Sequence, residues 1–228
     1  MGALSVEYPV ALAESVTVLP RGPGWWYEPK YDGHRLVMHR TAETTRCHTR
    51  SGCTVTSAWL DLAVAGQAVL RPGTVLDGEA VVWVNGQLSF SAAQARGNST
   101  ARRSAALTAE YPANFVVWDC LQVDGVELRR RPYTERRAAL LEVLDGVPPP
   151  IQATPASDDP DVALAWYEHL PAQGCLRTTA VSHTSCWSDA SNAFLWVFWA
   201  VSRPYGRWAW SWRSTPVRVG SPGGCREC

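Results

Sequence analysis

A single lysine stands against twenty arginines in this chain, in the run Glu28-Pro29-Lys30-Tyr31-Asp32-Gly33-His34-Arg35. An arginine excess of this kind fits a gene rich in G and C, in which arginine codons displace lysine. A lysine that survives such drift points to chemistry a guanidinium cannot do. An amine can shed its proton in a suitable pocket and attack as a nucleophile, whereas arginine stays protonated. At its ordinary pKa of ~10.4, a lysine is only about 0.1% neutral near pH 7. Burial, neighbouring cationic charge or a metal must therefore lower that value before Lys30 can attack.

Four more segments carry residues suited to the same chemistry. They are Arg50-Ser51-Gly52, then Val75-Leu76-Asp77-Gly78-Glu79-Ala80, then Phe115-Val116-Val117-Trp118-Asp119-Cys120-Leu121, and finally Arg131-Pro132-Tyr133-Thr134-Glu135-Arg136-Arg137. Taken singly, each has an ordinary structural reading. The Asp-Gly pairs at 32–33, 77–78 and 124–125 read as turns. Trp118 reads as a core aromatic, and Glu79 as an exposed strand residue.

In order, these segments resemble the motifs of bacterial ATP-dependent DNA ligases. Lys30-Tyr31-Asp32-Gly33 followed by Arg35 matches the K-x-D-G-x-R pattern of covalent nucleotidyltransferases. Leu19-Pro20-Arg21-Gly22-Pro23-Gly24-Trp25-Trp26 is similar to the entry of the ligase adenylation domain. Trp118 stands where the family usually has Phe or Tyr. The resemblance implies an α+β fold, the ATP-grasp-like nucleotidyltransferase adenylation domain, with two antiparallel sheets, flanking helices and the nucleotide between them. It implies that Lys30 attacks the α-phosphorus of ATP to give lysyl-AMP, and that AMP then passes to a DNA 5′-phosphate before the 3′-hydroxyl is joined.

Roles follow from the resemblance residue by residue. Glu28 would help read adenine, and Arg35 and Arg50 would hold ribose and phosphate, where guanidinium forks suit oxyanions. Glu79 would accept from a ribose hydroxyl, and Trp118 would stack on the base. Asp32 and Asp77 would support the site or its Mg²⁺, which also neutralises the triphosphate. The implied partner is nicked double-stranded DNA. RNA ligases and capping guanylyltransferases share K-x-D-G, and a catalytically inactive ligase remnant is a further alternative. Glu28-Pro29-Lys30 together with Leu76-Asp77-Gly78-Glu79 favours ATP and DNA.

These residues need a scaffold. The 228 residues suffice for one large domain or two small ones. Strands are expected at Leu36–His39, Val75–Val84 and Asn114–Trp118, with a turn at Asn85-Gly86. Helices are expected at 57–69, 133–144 and 161–170, with a proline-rich loop before the third. Formal net charge is zero, so DNA binding must use a local basic surface. No apolar run reaches the roughly 18 residues of a membrane span, and the start lacks a signal peptide, so a cytoplasmic protein is expected. Its seven cysteines are accordingly expected as thiols.

The pattern changes near Cys175. The division expected is an adenylation domain, partial, over 1–175 and an aberrant tail over 176–228, frameshifted or disordered. The tail holds six of twelve tryptophans and two acids, Asp189 and Glu227. Phe194–Val201 is almost continuously apolar, without surrounding architecture. Ala172-Gln173-Gly174-Cys175 resembles the lead-in to the family's E-G-[LV]-[VM]-x-K motif, but Leu176-Arg177-Thr178 follows. The family's later lysine pair has no counterpart, Arg207 and Arg213 being substitutes by charge alone, and the OB-fold domain is expected to be absent. Step one is then the expected chemistry, with full ligation lost. Cys225-Arg226-Glu227-Cys228 has metal-ligand spacing but no second pair, and His169 and His183 receive no role.

Overall fold

The computed structural model describes residues 18–169 and three further strands, Ala13–Val16, Arg177–Ser182 and Trp196–Trp199, with side chains in these strands only at 179–181. In chain order the elements are β1 (Ala13–Val16), β2 (Trp25–Lys30), β3 (His34–Arg40), β4 (Thr45–His48), α1 (Leu60–Val69), β5 (Thr74–Val84), β6 (Gln87–Leu88), α2 (Phe90–Gly97), α3 (Ala101–Glu110), β7 (Ala113–Val123), β8 (Val126–Glu127), α4 (Tyr133–Val143), β9 (Ile151–Ala153), α5 (Pro160–His169), β10 (Arg177–Ser182) and β11 (Trp196–Trp199). Among the described residues no helix is long and apolar enough to cross a membrane.

The strands form two sheets, as the α+β expectation requires. The larger has the order β4-β3-β5-β7-β8, with β6 on β5 and β9 on β7; the smaller has the order β1-β11-β10-β2. Pairing is antiparallel apart from β1 with β11 and β7 with β9. The β-branched and aromatic residues of β5 and β7 suit a pleated surface covered on both faces, and both strands are almost wholly buried. Leu36, Met38, Leu76 and Phe115 are fully buried against Trp59 and Leu62 at the start of α1. Burial of each such apolar chain contributes roughly 1.5–3 kcal/mol. Asn85 (φ 52°) and Gly86 (φ 78°) close the β5–β6 hairpin, as expected, because both central residues of this turn need positive φ.

Of the Asp-Gly pairs at 32–33, 77–78 and 124–125, Asp124-Gly125 makes such a turn, between β7 and β8. Asp77-Gly78 lies within β5, and Asp32-Gly33 joins β2 to β3. The helices α1, α4 and α5 stand where expected, within a few residues. Two others, α2 and α3, have no expected counterpart. Their sequences are rich in Ala, Ser and Arg and offer little apolar stripe; a buried arginine organises them instead. Arg96 is fully buried, forks onto Asp61 at 2.6 and 2.9 Å, and donates to the carbonyls of Ala58 and Tyr111 at 2.9 Å each. Its guanidinium lies 4.6 Å from the Trp59 ring centroid. One side chain thus ties α2 to the start of α1 and the end of α3.

The strands beyond residue 175 correct one expectation. The apolar run Phe194–Val201 is expected to lack surrounding architecture, yet Trp196–Trp199 within it pairs with both β10 and β1. β10 pairs antiparallel with β2, from Arg177 opposite Lys30 to Ser182 opposite Trp25. Thr179, Ala180 and Val181 are all buried, so this strand shows no polar–apolar alternation to read. The expectations for Ala172–Cys175, His183, Arg207, Arg213 and the Cys225–Cys228 pair lie outside the described residues.

Replacing Arg96 by methionine strands the Asp61 carboxylate and removes four hydrogen bonds. The expected loss is about 3 kcal/mol of unfolding free energy, because removing one partner of a buried pair leaves a charge uncompensated. Urea unfolding checks this; a midpoint matching the wild type would contradict the role assigned to Arg96.

Candidate active site

The nucleophile candidate sits where the chain passes from one sheet to the other. Lys30 ends β2 in the smaller sheet, and His34 opens β3 in the larger. The link between them must cross close to β5. A Cβ on Gly33 would lie 2.3 Å from the Ala80 carbonyl oxygen, so no other residue fits without displacing backbone. The Gly33 amide donates to Glu79 Oε1 at 3.1 Å, and Gln94 Nε2 donates to the Gly33 carbonyl at 3.2 Å. Lys30 Nζ meets Asp32 Oδ1 at 3.1 Å, with both side chains nearly a third exposed. The amine is therefore held at a seam, accessible and beside a carboxylate.

Arg35 and Glu79 are direct partners across β3 and β5, and Asp77 lies one diagonal step away on the same face. Arg35 forks onto Asp77, with Nε to Oδ1 at 2.7 Å and Nη2 to Oδ2. Both Asp77 oxygens are thereby committed to the guanidinium, and Asp77 is fully buried. Burial pushes the Glu79 carboxyl up to about 7, against the pull of Arg35, Lys30 and the Gly33 amide. Gly78 is required by contact: its Cβ would lie 2.3 Å from the Val116 carbonyl oxygen.

Trp118 owes its direction to a bulge. Asp77 pairs with Asp119 and Gly78 with Val117, so Trp118 is the extra residue on β7. Such a bulge re-aims a side chain beside a site. Its ring packs with Tyr133, Val181 and Trp26, and the Arg35 guanidinium lies 4.5 Å from its centroid. Asp119, opposite Asp77, is neutralised separately by Arg136, whose Nε lies 2.9 and 3.1 Å from its oxygens.

Glu28, two residues before Lys30 on β2, is buried. Tyr133 Oη donates to its Oε1 at 2.7 Å, and Arg137 Nη1 lies 3.8 Å from the same oxygen. Burial raises the Glu28 carboxyl to about 7, opposed mainly by Arg137 and by the Tyr133 hydrogen bond. Arg50 is exposed on the turn between Thr49 and Cys53, where Gly52 has φ 85°.

The structure thus gathers Lys30, Asp32, Arg35, Asp77, Glu79 and Trp118 along one seam, with Glu28 on the same strand as Lys30 and Arg50 at the surface. Sequence reading assigned no role to Tyr133, Arg136 and Arg137. Their i, i+3, i+4 spacing on α4 was the available signal, because it places all three on one helical face. An amine, a fixed guanidinium, carboxylates and an indole plane suit a ligand that joins anionic groups to an aromatic base.

Comparison with known proteins agrees with this geometry. The ATP dependent DNA ligase domain matches residues 10–175. DNA ligase C2 of Mycolicibacterium smegmatis is 34% identical over 163 residues, covering 72% of this chain and 46% of the relative. DNA ligase C of Mycobacterium tuberculosis is 33% identical over 177 residues, covering 75% of this chain and 49% of the relative. The chain therefore spans about half the length of these relatives. A mycobacterial DNA ligase D complexed with ATP and MES superposes with a TM-score of 0.66 at 26% identity, over 86% of this chain and 61% of the other. The ligase domain of M. tuberculosis LigD gives 0.63 at 25% identity, over 86% and 60%. Matching motifs, fold and relatives together place this chain in the ATP-dependent DNA ligase family, over its adenylation domain.

Proposed function

We propose that this chain transfers AMP from ATP to Lys30, the first step of strand joining. The observation that carries the reading is the Lys30 amine at the sheet seam, flanked by Asp32 and by the Arg35–Asp77 fork. The Nζ lone pair forms a bond to the α-phosphorus while the bond to the bridging oxygen breaks. Pyrophosphate leaves with that electron pair. Asp32 Oδ1, 3.1 Å away, is placed to take the proton that Nζ sheds. Arg35, held by Asp77, offers a fixed positive charge to phosphate or ribose oxygens. Glu79 faces the ribose, Trp118 the base, and Glu28 the edge of the adenine.

Mg²⁺ would neutralise the triphosphate. It characteristically keeps waters and binds through one or two carboxylates plus substrate phosphates. Asp32, partly exposed, suits that role with Glu79 beside it. Asp77 supports the site through Arg35, since both its oxygens are engaged. Among the described residues no group of three or more metal-ligating side chains forms.

Nicked duplex DNA is the proposed acceptor of AMP, with exposed Arg50 suited to its phosphates. The adenylation domain is proposed over 1–175 and a Trp/Arg-rich tail over 176–228, of which strands β10 and β11 pair into the smaller sheet. A cytoplasmic location goes with this reading. An inactive remnant is the rival, favoured by Leu176-Arg177-Thr178, which follows Cys175 in place of the E-G-[LV]-[VM]-x-K motif.

Intact mass after incubation with ATP and Mg²⁺ separates the two. The expected result is an AMP-sized gain in the wild type and none in Lys30→Ala; no gain in a folded wild type establishes the remnant. Asp77→Asn releases one arm of the Arg35 fork and is expected to slow single-turnover adenylation by about 10²-fold, the usual scale for a misplaced positioning group. An unchanged rate would contradict the role given to Asp77.

A further inference from the structure

Tyr133 and Arg137 converge on a single oxygen of a buried carboxylate. Tyr133 Oη is 2.7 Å from Glu28 Oε1, and Arg137 Nη1 is 3.8 Å from the same atom. Tyr133 is fully buried and Arg137 more than nine-tenths so. Arg137 Nη2 donates to the Thr154 carbonyl, whereas buried Nη1 has no hydrogen-bond partner, which leaves it directed at Glu28. Both residues belong to α4, and that helix is also fixed to the other recognition element. Arg136 holds Asp119, next to Trp118, and the Tyr133 ring packs on Trp118 and lies 6.1 Å from the Trp26 ring. One face of α4 therefore sets the positions of Glu28 and Trp118 relative to each other.

We propose that Tyr133 and Arg137 are positioning residues for base selection: by occupying Glu28 Oε1 they keep Glu28 an acceptor and present Oε2 to an exocyclic amine, which selects adenine over guanine. This rests on the reading that Glu28 faces the base of ATP. An amine on the base donates to a carboxylate, whereas a carbonyl at that position sets oxygen against oxygen. An unmatched buried acceptor is strongly rejected. The preference inverts if Glu28 carries a proton, because a carboxylic acid donates.

The balance is close. Burial has already raised Glu28 to about 7, and Arg137 and the Tyr133 hydroxyl are the largest influences pulling it back. The charged groups acting on Glu28 are Arg137 and Arg136 from α4 and Asp119 from β7, with Asp119 favouring the protonated form. Removing the Tyr133 hydroxyl, or the Arg137 charge, moves the carboxyl further up. At neutral pH the acid form then dominates; raising the pH restores the carboxylate.

The test uses Tyr133→Phe and Arg137→Gln in the full chain, with ATP and GTP as probes. Equilibrium binding of each nucleotide is measured by calorimetry from pH 6.5 to 9, and the covalent adduct by intact mass. The expected outcome is that Tyr133→Phe loses about tenfold of the ATP-over-GTP binding preference at pH 7, on the scale of one hydrogen bond to a charged group. The loss should shrink toward pH 9, and Arg137→Gln should behave in the same direction. Unchanged preference in both folded variants, or a loss independent of pH, overturns the inference. A wild type that binds ATP selectively but gains no mass overturns the transfer reading and leaves base selection standing. A wild type that forms the adduct while both folded variants keep full selectivity does the reverse. A wild type without preference for ATP overturns the inference outright.

Discussion

The close approach of Gly33 to the Ala80 carbonyl is the constraint on which the site depends. The chain leaves the smaller sheet at Lys30 and enters the larger at His34, and the crossing has no room for a Cβ. Its amide is taken up by Glu79 and its carbonyl by Gln94, so the crossing is anchored on both sides. Lys30 and Asp32 precede that point and Arg35 follows it. Their mutual placement is therefore set by a backbone contact, not by the flexibility of their own side chains. The glycine in K-x-D-G is explained by packing, since Gly33 is not in the left-handed region and makes no tight turn.

Charge in the interior is managed pair by pair. Asp77 and Asp119 are cross-strand partners, a juxtaposition that would be unfavourable for two bare carboxylates. Each is met by its own arginine, Arg35 from β3 and Arg136 from α4. A third fork, Arg96 on Asp61, does the same for the helices. Buried ion pairs add little net stability compared with apolar packing, but losing one partner is costly. Here they determine orientation: Arg35 is turned toward Trp118, and α4 is brought against β7. Arginine suits these places because its planar fork engages both carboxylate oxygens at once.

Glu28 and Glu79 differ from these aspartates. Neither is paired by a fork, and burial raises both to about 7. Two carboxyls poised near neutrality on either side of the seam can change hydrogen-bonding character with modest changes in their surroundings. Aspartates at the same depth, held by guanidinium forks, serve instead as fixed supports.

The strands around Leu36–His39, Val75–Val84 and Asn114–Trp118, the Asn85-Gly86 turn and three helices were legible because their periodicity and turn chemistry are local. Lys30 and its motif were legible because few residue types can do that chemistry. Four things were not. The helices α2 and α3 lack an apolar stripe, and their position depends on Arg96, a residue type normally placed at the surface. The strand β10 is covered on both faces, so its alternation is lost. The direction of Trp118 comes from a bulge, a matter of how β7 registers against β5. The meeting of Tyr133 with Glu28 joins residues 105 positions apart. By itself the sequence determined which residues can react and which local segments are regular, since both follow from side-chain chemistry and short-range spacing. Tertiary structure decided which oxygen each arginine holds, which way Trp118 faces and what restrains Glu28, because those outcomes depend on contacts between strands and helices distant in the chain.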